Sequence, residues 1–439
     1  MPTTLEFIHE TSWREIPSDV KHMAARCALD LTGTLIAGSA TELSQVARKV
    51  ALRVHPGDQA SLLLDGRKTN SAGAALANGM TIDSIDAHDG YRLAKGHAGA
   101  GIYPAALAVG EQRQWSGQDW LTALVIGYEI ALRAGESLHQ SAADYHTSGA
   151  WVAIGAAAVA ARAYTLESGG TRHALGIAEY HGPRSEMMRC IDHPTMLKDG
   201  SGWGSMTGLV AAEFARAGFT GAPATTVEDD FARSIWQDLG TDWRMRKLYF
   251  KPYACCRWAH PAIDAALELT ATHGIAGEEI SALEVFTFEE ATRLDLPHPL
   301  DTEQAQYSLP FPVAAAILLG GLEPAHLQRS YLEDDRILQL ADKVVMTVDP
   351  QLDRRFPAEA LARVRLSTTE GQVVESGIVT ASGGPESPMS DAQLTEKFQV
   401  AISGLLPEQR AAAIQRACWD CAQLDSVHEL IALLREPIQ

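Results

Sequence analysis

Apolar residues recur at helical spacing through about the first 270 residues of the chain. One such segment opens at Ser18 and keeps apolar residues three or four positions apart as far as Gly38. Another follows the potential N-cap residue Ser116 and runs towards Gly135. Residues 151–163 are so rich in alanine that we predict a close-packed helix in the middle of a bundle. Further helices are predicted over 203–217 and 260–273.

The pattern changes after residue 275, where apolar and polar residues alternate with the period of a β-strand. The clearest strand is predicted over 280–288, and helical stretches then precede further candidate strands. The candidate strands are 344–348, 362–367 and 373–379, and the helical stretches are 307–319 and 326–340. After Pro388 the helical pattern returns. We therefore predict a mainly α protein, with a large all-helical domain formed from both chain ends (1–270 plus 392–439) and an inserted smaller α+β domain (275–390).

The composition of the chain argues against several classes of protein. It has 439 residues and a formal net charge of −19, which disfavours nucleic-acid binding because a binder needs a basic face. Its longest apolar stretch, 313–319, is far shorter than the ~20 residues that span a bilayer, so no membrane association is expected. The N-terminal residues resemble neither a secretory signal nor a transit peptide. Six cysteines do not form a disulfide framework, and we expect a cytoplasmic protein.

Two short motifs suggest cofactor or metal binding, but their contexts do not fit. The glycines of residues 96–101 are not in the frame of a dinucleotide-binding loop, and no predicted strand precedes them. Cys418 and Cys421 have the spacing of a zinc motif without a second ligand pair, so buried apolar roles are more consistent.

Six ionisable residues lie close together between two predicted helices: Asp83, Asp86, His88, Asp89, Lys95 and His97. Three interpretations remain open at this point. The segment could be a solvated loop with helix-capping carboxylates, a metal site built from the carboxylates and His88, or an acid–base site. In the last case, burial and neighbouring charges would shift the pKa values of the carboxyl and imidazole groups.

Tyr145 and His146 precede the alanine-rich helix, at a helix N-terminus where carboxylates bind readily. Thr147 or Ser148 could cap this helix, but a cap requires neither Tyr145 nor His146. Lys198 stands just before the start of the next predicted helix, where it could strengthen an anion site or simply lie at the surface.

The stretch 241–260 contains five basic residues and one acidic residue, a local charge of +4 in a chain whose net charge is −19. Such a concentration of positive charge can attract small anions, although salt bridges to the acidic surface are a plain alternative. Its basic residues are Arg244, Arg246, Lys247, Lys251 and Arg257.

These segments together resemble the MmgE/PrpD family, which includes 2-methylcitrate dehydratases and cis-aconitate decarboxylases. The resemblance covers nearly the whole chain and is most specific in the block from Lys251 to Asp264 (KPYACCRWAHPAID). It also rests on DAHD at 86–89, PAALA at 104–108, YHT at 145–147, MLKDG at 196–200 and QYS at 306–308. The family implies an α+β lid inserted in a helical domain, a homodimer, and an active site between the domains without metal or organic cofactor. Residues at family active-site positions are Asp86, His97, His146, Lys198, Lys251 and Tyr307.

Two departures from the family pattern favour a divergent reaction. Gly90 stands where the family often has threonine, and Ala98 follows His97 where the family commonly has proline. The chain resembles epimerases that act on iminodisuccinate, and we predict cofactor-independent epimerisation by two-base proton abstraction and re-addition beside a carboxylate. A 2-methylcitrate dehydratase-like hydro-lyase or a decarboxylase acting on a tricarboxylate is the first alternative, and an inactive carboxylate-binding protein is the second.

The predicted site binds a small polycarboxylate. Tyr145 and Lys198 are the expected proton carriers, while His88, His97 and His146 tune or bind. The expected substrate-binding residues are Asp83, Asp86, Lys251, Arg257 and Tyr307.

Overall fold

The computed structural model describes residues 2–438, which are 58% helical and 8% β-strand. The prediction of a mainly α protein with a small sheet is therefore confirmed. No helix within the described residues is long and apolar enough to cross a membrane.

Ten helices cover most of the first 216 residues. They are α1 (Thr4–Glu10), α2 (Ser18–Gly38), α3 (Glu42–Val54), α4 (Ser71–Asp83), α5 (Gly99–Arg113), α6 (Gly117–Ser141), α7 (Gly149–Ala163), α8 (Ser168–His181), α9 (Met187–Asp192) and α10 (Ser201–Arg216). A two-stranded ribbon, β1 (Ala60–Ser61) and β2 (Lys68–Thr69), precedes α4. Helix α7 is central, as its alanines predict, because small side chains let α6 and α10 approach it closely.

The mixed sheet lies in the later part of the chain. Its strands are β3 (Ile280–Thr287), β4 (Val344–Val348), β5 (Leu361–Thr368), β6 (Val373–Glu375) and β7 (Val379–Thr380). The order is β4-β3-β5-β6, with β3 and β4 parallel, the other pairs antiparallel, and β7 also paired with β5. The alternating pattern of β3 buries one face of the strand, as period-two sequences do.

The remaining α-helices of the described residues lie between Thr225 and Arg435. They are α11 (Thr225–Glu228), α12 (Arg233–Trp236), α13 (His260–His273), α14 (Glu289–Thr292), α15 (Thr302–Gln306), α16 (Pro310–Leu319), α17 (Arg329–Leu332), α18 (Asp335–Ala341), α19 (Pro350–Asp353), α20 (Asp391–Ala401), α21 (Glu408–Trp419) and α22 (His428–Arg435). Among them, α13 packs against the sheet. The predicted helix over 326–340 is two helices, α17 and α18, separated by a break at 333–334, where Asp334 caps α18. The predicted helix over 307–319 begins only at Pro310, since proline favours the first turn.

Buried apolar side chains form two large clusters. The first draws on residues between 7 and 250 and again between 394 and 434, so the C-terminal helices pack on the N-terminal ones. The second draws mainly on residues between 254 and 366. These clusters support the predicted division into a discontinuous helical domain and an α+β domain, which stays a prediction.

Candidate active site

A cavity of about 310 Å³ lies where the loop between α4 and α5 meets segments from the later half of the chain. Its wall takes some of its residues from each of six regions of the chain: 86–97, 145, 187–199, 247–258, 307 and 356–386. Five of the ten predicted site residues line it, namely Asp86, His97, Tyr145, Arg257 and Tyr307. The other five, Asp83, His88, His146, Lys198 and Lys251, are not part of its wall.

Asp86 and Lys251 form a buried ion pair at this wall. The Lys251 ammonium donates to Asp86 Oδ1 at 2.6 Å and to the Asp86 carbonyl oxygen at 2.9 Å. Burial alone would raise the pKa of Asp86, but the charges of Lys251 and Lys198 lower it well below its usual range. Asp86 is therefore a permanent anion, and Lys251 acts on the cavity through it.

His97 is held as a neutral imidazole. Burial, the charge of Lys251 and the neighbouring His88 lower its pKa well below the ordinary value. Its Nδ1 lies 2.7 Å from the Asp89 carbonyl oxygen, which can only accept, so Nδ1 carries the proton. Nε2 is then an unprotonated acceptor, which makes His97 a candidate general base.

His88 supports His97 from behind. The two rings meet edge to face with centroids 4.5 Å apart, and His88 Nε2 lies 3.2 Å from Asp83 Oδ1. Asp83 and His88 are fully buried, so they can orient neighbouring side chains and act on them electrostatically but cannot contact a ligand in the cavity. Neither residue lies at the cavity wall, and their predicted roles in catalysis and substrate binding stay predictions.

The donor set of Asp86, His88 and His97 also has the spacing of a metal site, with one potential ligand atom from each residue within 4.8 Å of the others. The Lys251 ammonium already lies against Asp86, however, and a divalent ion there would be repelled by it. This arrangement favours the prediction that the protein uses no metal, which remains a prediction.

Lys198 lies behind Tyr307. Its ammonium is 4.6 Å from the centre of the Tyr307 ring and donates to the Gln306 side-chain oxygen. Lys198 is buried, and its backbone is left-handed, with φ of 51°. It therefore contributes positive charge through the cavity wall. Tyr145 lines the cavity but Lys198 does not, and their predicted pairing as proton carriers stays a prediction.

Tyr145 and His146 diverge from each other. Tyr145 lines the cavity with the Lys95 ammonium 4.9 Å from its ring centre, and burial raises its pKa well above the ordinary value. His146 turns away: its Nδ1 lies 2.8 Å from the Asp144 carbonyl oxygen, and its backbone N–H donates to His139 Nε2. Lys95, whose φ is 54°, was noted in the sequence as part of the charged loop but not assigned to the site.

Tyr249 is a wall residue that sequence reasoning missed. It exchanges two backbone hydrogen bonds with Gly90, and its ring lies beside the ring of His97. A Cβ atom at position 90 would overlap the Tyr249 ring and lie 2.8 Å from His97 Nδ1. The replacement of a common threonine by Gly90 thus leaves the room that Tyr249 fills, and this departure was the signal that could have indicated it.

Arg257 links the wall to the later segments. Its guanidinium lies 4.4 Å from the centre of the Tyr249 ring and donates to the carbonyl oxygens of Ala381 and Ser382, at 3.0 and 2.8 Å. Burial lowers the pKa of Arg257, but an arginine remains charged. It therefore presents a fixed cation at the cavity, as the basic stretch in the sequence predicts.

Asp199 also lines the cavity and was missed as a site residue, although the sequence motif includes it. Its carboxylate accepts a hydrogen bond from Ser148, so the Ser148 hydroxyl does not cap α7 as the sequence suggested. Burial and the nearby Asp83 carboxylate raise the pKa of Asp199 to about 7. A carboxyl group with this pKa can exchange a proton near neutral pH.

The fold and cavity define a mainly helical protein in which buried carboxyl, imidazole and cationic groups surround a small cavity. Models of the MmgE/PrpD N-terminal domain and C-terminal domain match residues 4–238 and 253–421. The chain belongs to the MmgE/PrpD family, so the resemblance inferred from the sequence motifs is confirmed.

Some curated relatives match nearly the whole chain, and another matches only part of it. It is 23% identical to the cis-aconitate decarboxylase-like protein oryM of Aspergillus oryzae, with 98% of this chain and 95% of the relative covered. It is 22% identical to the cis-aconitate decarboxylase of Homo sapiens, covering 98% and 93%. A 2-methylcitrate dehydratase of Cupriavidus necator is 26% identical over 38% of this chain and 37% of the relative. The predicted likeness to iminodisuccinate epimerases is not confirmed by these relatives.

Proposed function

We propose that the protein is a lyase acting on a tricarboxylate, by decarboxylation or by elimination of water. This was the first alternative from the sequence, and the names of the relatives support it over epimerisation. The observation that carries the proposal is the neutral His97 beside a wall of fixed cations. Arg257 and Lys95 line the cavity, while Lys198 and Lys251 add positive charge from behind.

This arrangement suits the step that both lyase reactions share. Loss of carbon dioxide or of a proton leaves an electron pair on a carbon beside a carboxylate, and the resulting polyanion needs preorganised positive charge. In a dehydration, His97 would take the carbon-bound proton and an acid would protonate the departing hydroxide. In a decarboxylation, the electron pair left by the broken C–C bond would be captured by a proton from an acid in the wall.

Epimerisation of iminodisuccinate is retained as a second candidate on one observation. Tyr249 fills the space beside His97 where the family often carries a threonine side chain, so this part of the cavity departs from the family pattern. The position of Lys198 argues against epimerisation, because this predicted proton carrier lies behind Tyr307 and not at the cavity wall.

Proton NMR in D2O tests these candidates with cis-aconitate, 2-methylcitrate and one iminodisuccinate stereoisomer in separate samples. We expect the vinylic signal of cis-aconitate to disappear as carbon dioxide is released, or 2-methylcitrate to lose water, so that its methyl doublet is replaced by the methyl singlet of a fully substituted alkene. Loss of only the α-proton signal of iminodisuccinate, with new stereoisomers, would refute the lyase and establish the epimerase. If no acid is converted although each raises the melting temperature, the inactive carboxylate-binding protein is correct.

His97→Gln is the matched variant for that experiment, because glutamine keeps a polar side chain but cannot act as a base. We expect it to retain the fold and lose turnover of whichever acid the wild type converts. The predicted homodimer and cytoplasmic location remain proposals, and analytical ultracentrifugation would test the dimer.

A further inference from the structure

The backbone around Asp199 is arranged to present its carboxyl group at the cavity. Lys198 and Gly200 on either side both have left-handed backbones, with φ of 51° and 69°. The Asp199 carbonyl oxygen accepts from the N–H of Gly149 at 3.0 Å, which ties this turn to the start of α7. Only 3% of Asp199 is exposed, so its side chain is held within the wall that it lines.

The carboxyl group of Asp199 is only partly satisfied by the protein. One oxygen accepts from the Ser148 hydroxyl, whose oxygen in turn accepts from the His97 backbone N–H at 2.8 Å. The other oxygen, Oδ1, is buried and has no hydrogen-bond partner among the described residues. Asp86, which lines the same cavity, is by contrast neutralised directly by Lys251. A buried carboxylate without such a partner is costly when charged, so Asp199 favours the protonated form.

We infer that Asp199 is a catalytic proton carrier of this site, which rests on the proposed lyase function. Asp199 starts the decarboxylation protonated. The C–C bond to the departing carboxylate breaks, carbon dioxide leaves, and the electron pair that remains on the carbon skeleton forms a C–H bond with the Asp199 proton. Asp199 becomes a carboxylate and recovers its proton from water. In a dehydration the same proton goes to the departing hydroxide.

The surrounding charges match this role. Burial raises the pKa of Asp199 most, the carboxylates of Asp83 and Asp86 raise it further, and Ser148 and His88 lower it, leaving a value of about 7. Asp199 can therefore exchange a proton near neutral pH. The other titratable groups that interact with Asp199 are Tyr145, Tyr307, Cys190 and Cys256.

Asp199→Asn is the direct test, because asparagine keeps the shape and can still accept from Ser148. Loss of one general acid is expected to lower kcat by about 10²–10⁴-fold, with KM changed only a few-fold and the melting temperature kept. Asp199→Glu should recover part of the lost kcat. A purely structural role would instead leave Glu worse than Asn. Near-normal turnover of Asp199→Asn would overturn the inference.

A pH profile gives a second readout that does not require changing Asp199. In the wild type, kcat should fall with rising pH around pH 7, as the proton donor loses its proton. In Asp83→Asn this fall should occur at lower pH, because a carboxylate that repels the charged form of Asp199 has been removed. A fall at the same pH in both would contradict the inference. Wild-type turnover of tricarboxylates tests the proposed function separately. If only iminodisuccinate is converted, the lyase fails, and the same variants measure whether Asp199 carries the proton in that reaction.

Discussion

Replacing Lys251 by methionine removes the only cation that contacts Asp86 directly among the described residues. The two charged atoms are 2.6 Å apart, and neither side chain is more than 5% exposed. With an effective dielectric constant of 20, their attraction is about 6 kcal/mol, which is an upper guide because desolvation opposes it. Breaking a buried pair from one side costs about 3–5 kcal/mol, and we expect Lys251→Met to lower the free energy of unfolding by that amount.

Urea unfolding followed by circular dichroism measures this loss. In the Asp86→Asn/Lys251→Met double variant no charge is left unpaired, so the double variant should be more stable than Lys251→Met alone. Lys247→Met is the matched control from the same basic segment, since Lys247 and Asp242 form a half-exposed pair worth less than about 1 kcal/mol. Equal losses for Lys251→Met and Lys247→Met, or a double variant weaker than both singles, would refute the reasoning.

Three further predictions follow from the cavity wall. Gly90→Ala should lose about 1–3 kcal/mol of stability by overpacking against Tyr249, and the penalty should become smaller in a Tyr249→Ala background, where only the close approach to His97 remains. Equal melting temperature shifts in both backgrounds would contradict this. Burial and the Asp30 charge raise the pKa of Asp89 to about 7, so the folded protein keeps a proton that the unfolded chain releases above pH 4. Wild-type stability should therefore fall as pH rises from about 4 to 7, and Asp89→Asn should flatten this slope in unfolding measured across that range. Arg257→Lys should raise KM for the carboxylate substrate, because lysine cannot donate to both Ala381 and Ser382 while facing the cavity; an unchanged KM would remove Arg257 from substrate binding.

Helical periodicity predicted the elements whose burial pattern is regular, and α2, α6 and β3 lie close to the predicted bounds. The predicted ends of helices are wrong where a proline or a capping residue sets the end instead of the helical period. The predicted helix over 307–319, for example, begins only at Pro310, because proline favours the first turn of a helix.

The sequence predicted which segments of the chain form the candidate site, but not which side chains of those segments face the cavity. Motifs spread from residue 86 to residue 307 indicated which chain regions carry acid, base and cation. Which side chains face the cavity depends on partners distant in sequence: Lys251 turns to Asp86 and Lys198 to Gln306. Tyr249 and Asp199 were missed because an aromatic residue in a basic stretch and an aspartate before a helix usually have structural roles.

Two residues of the cavity wall and one residue behind it adopt a backbone conformation that L-amino acids avoid. Asp86, Lys95 and Lys198 have φ of 48°, 54° and 51°, each at a cost of roughly 1–2 kcal/mol relative to glycine. Directed evolution for heat resistance would consequently reward glycine at these positions and discard the charges that they present. Laboratory selection for stability alone should therefore drive this protein towards inactive variants, whereas selection that also demands turnover should leave all three positions untouched.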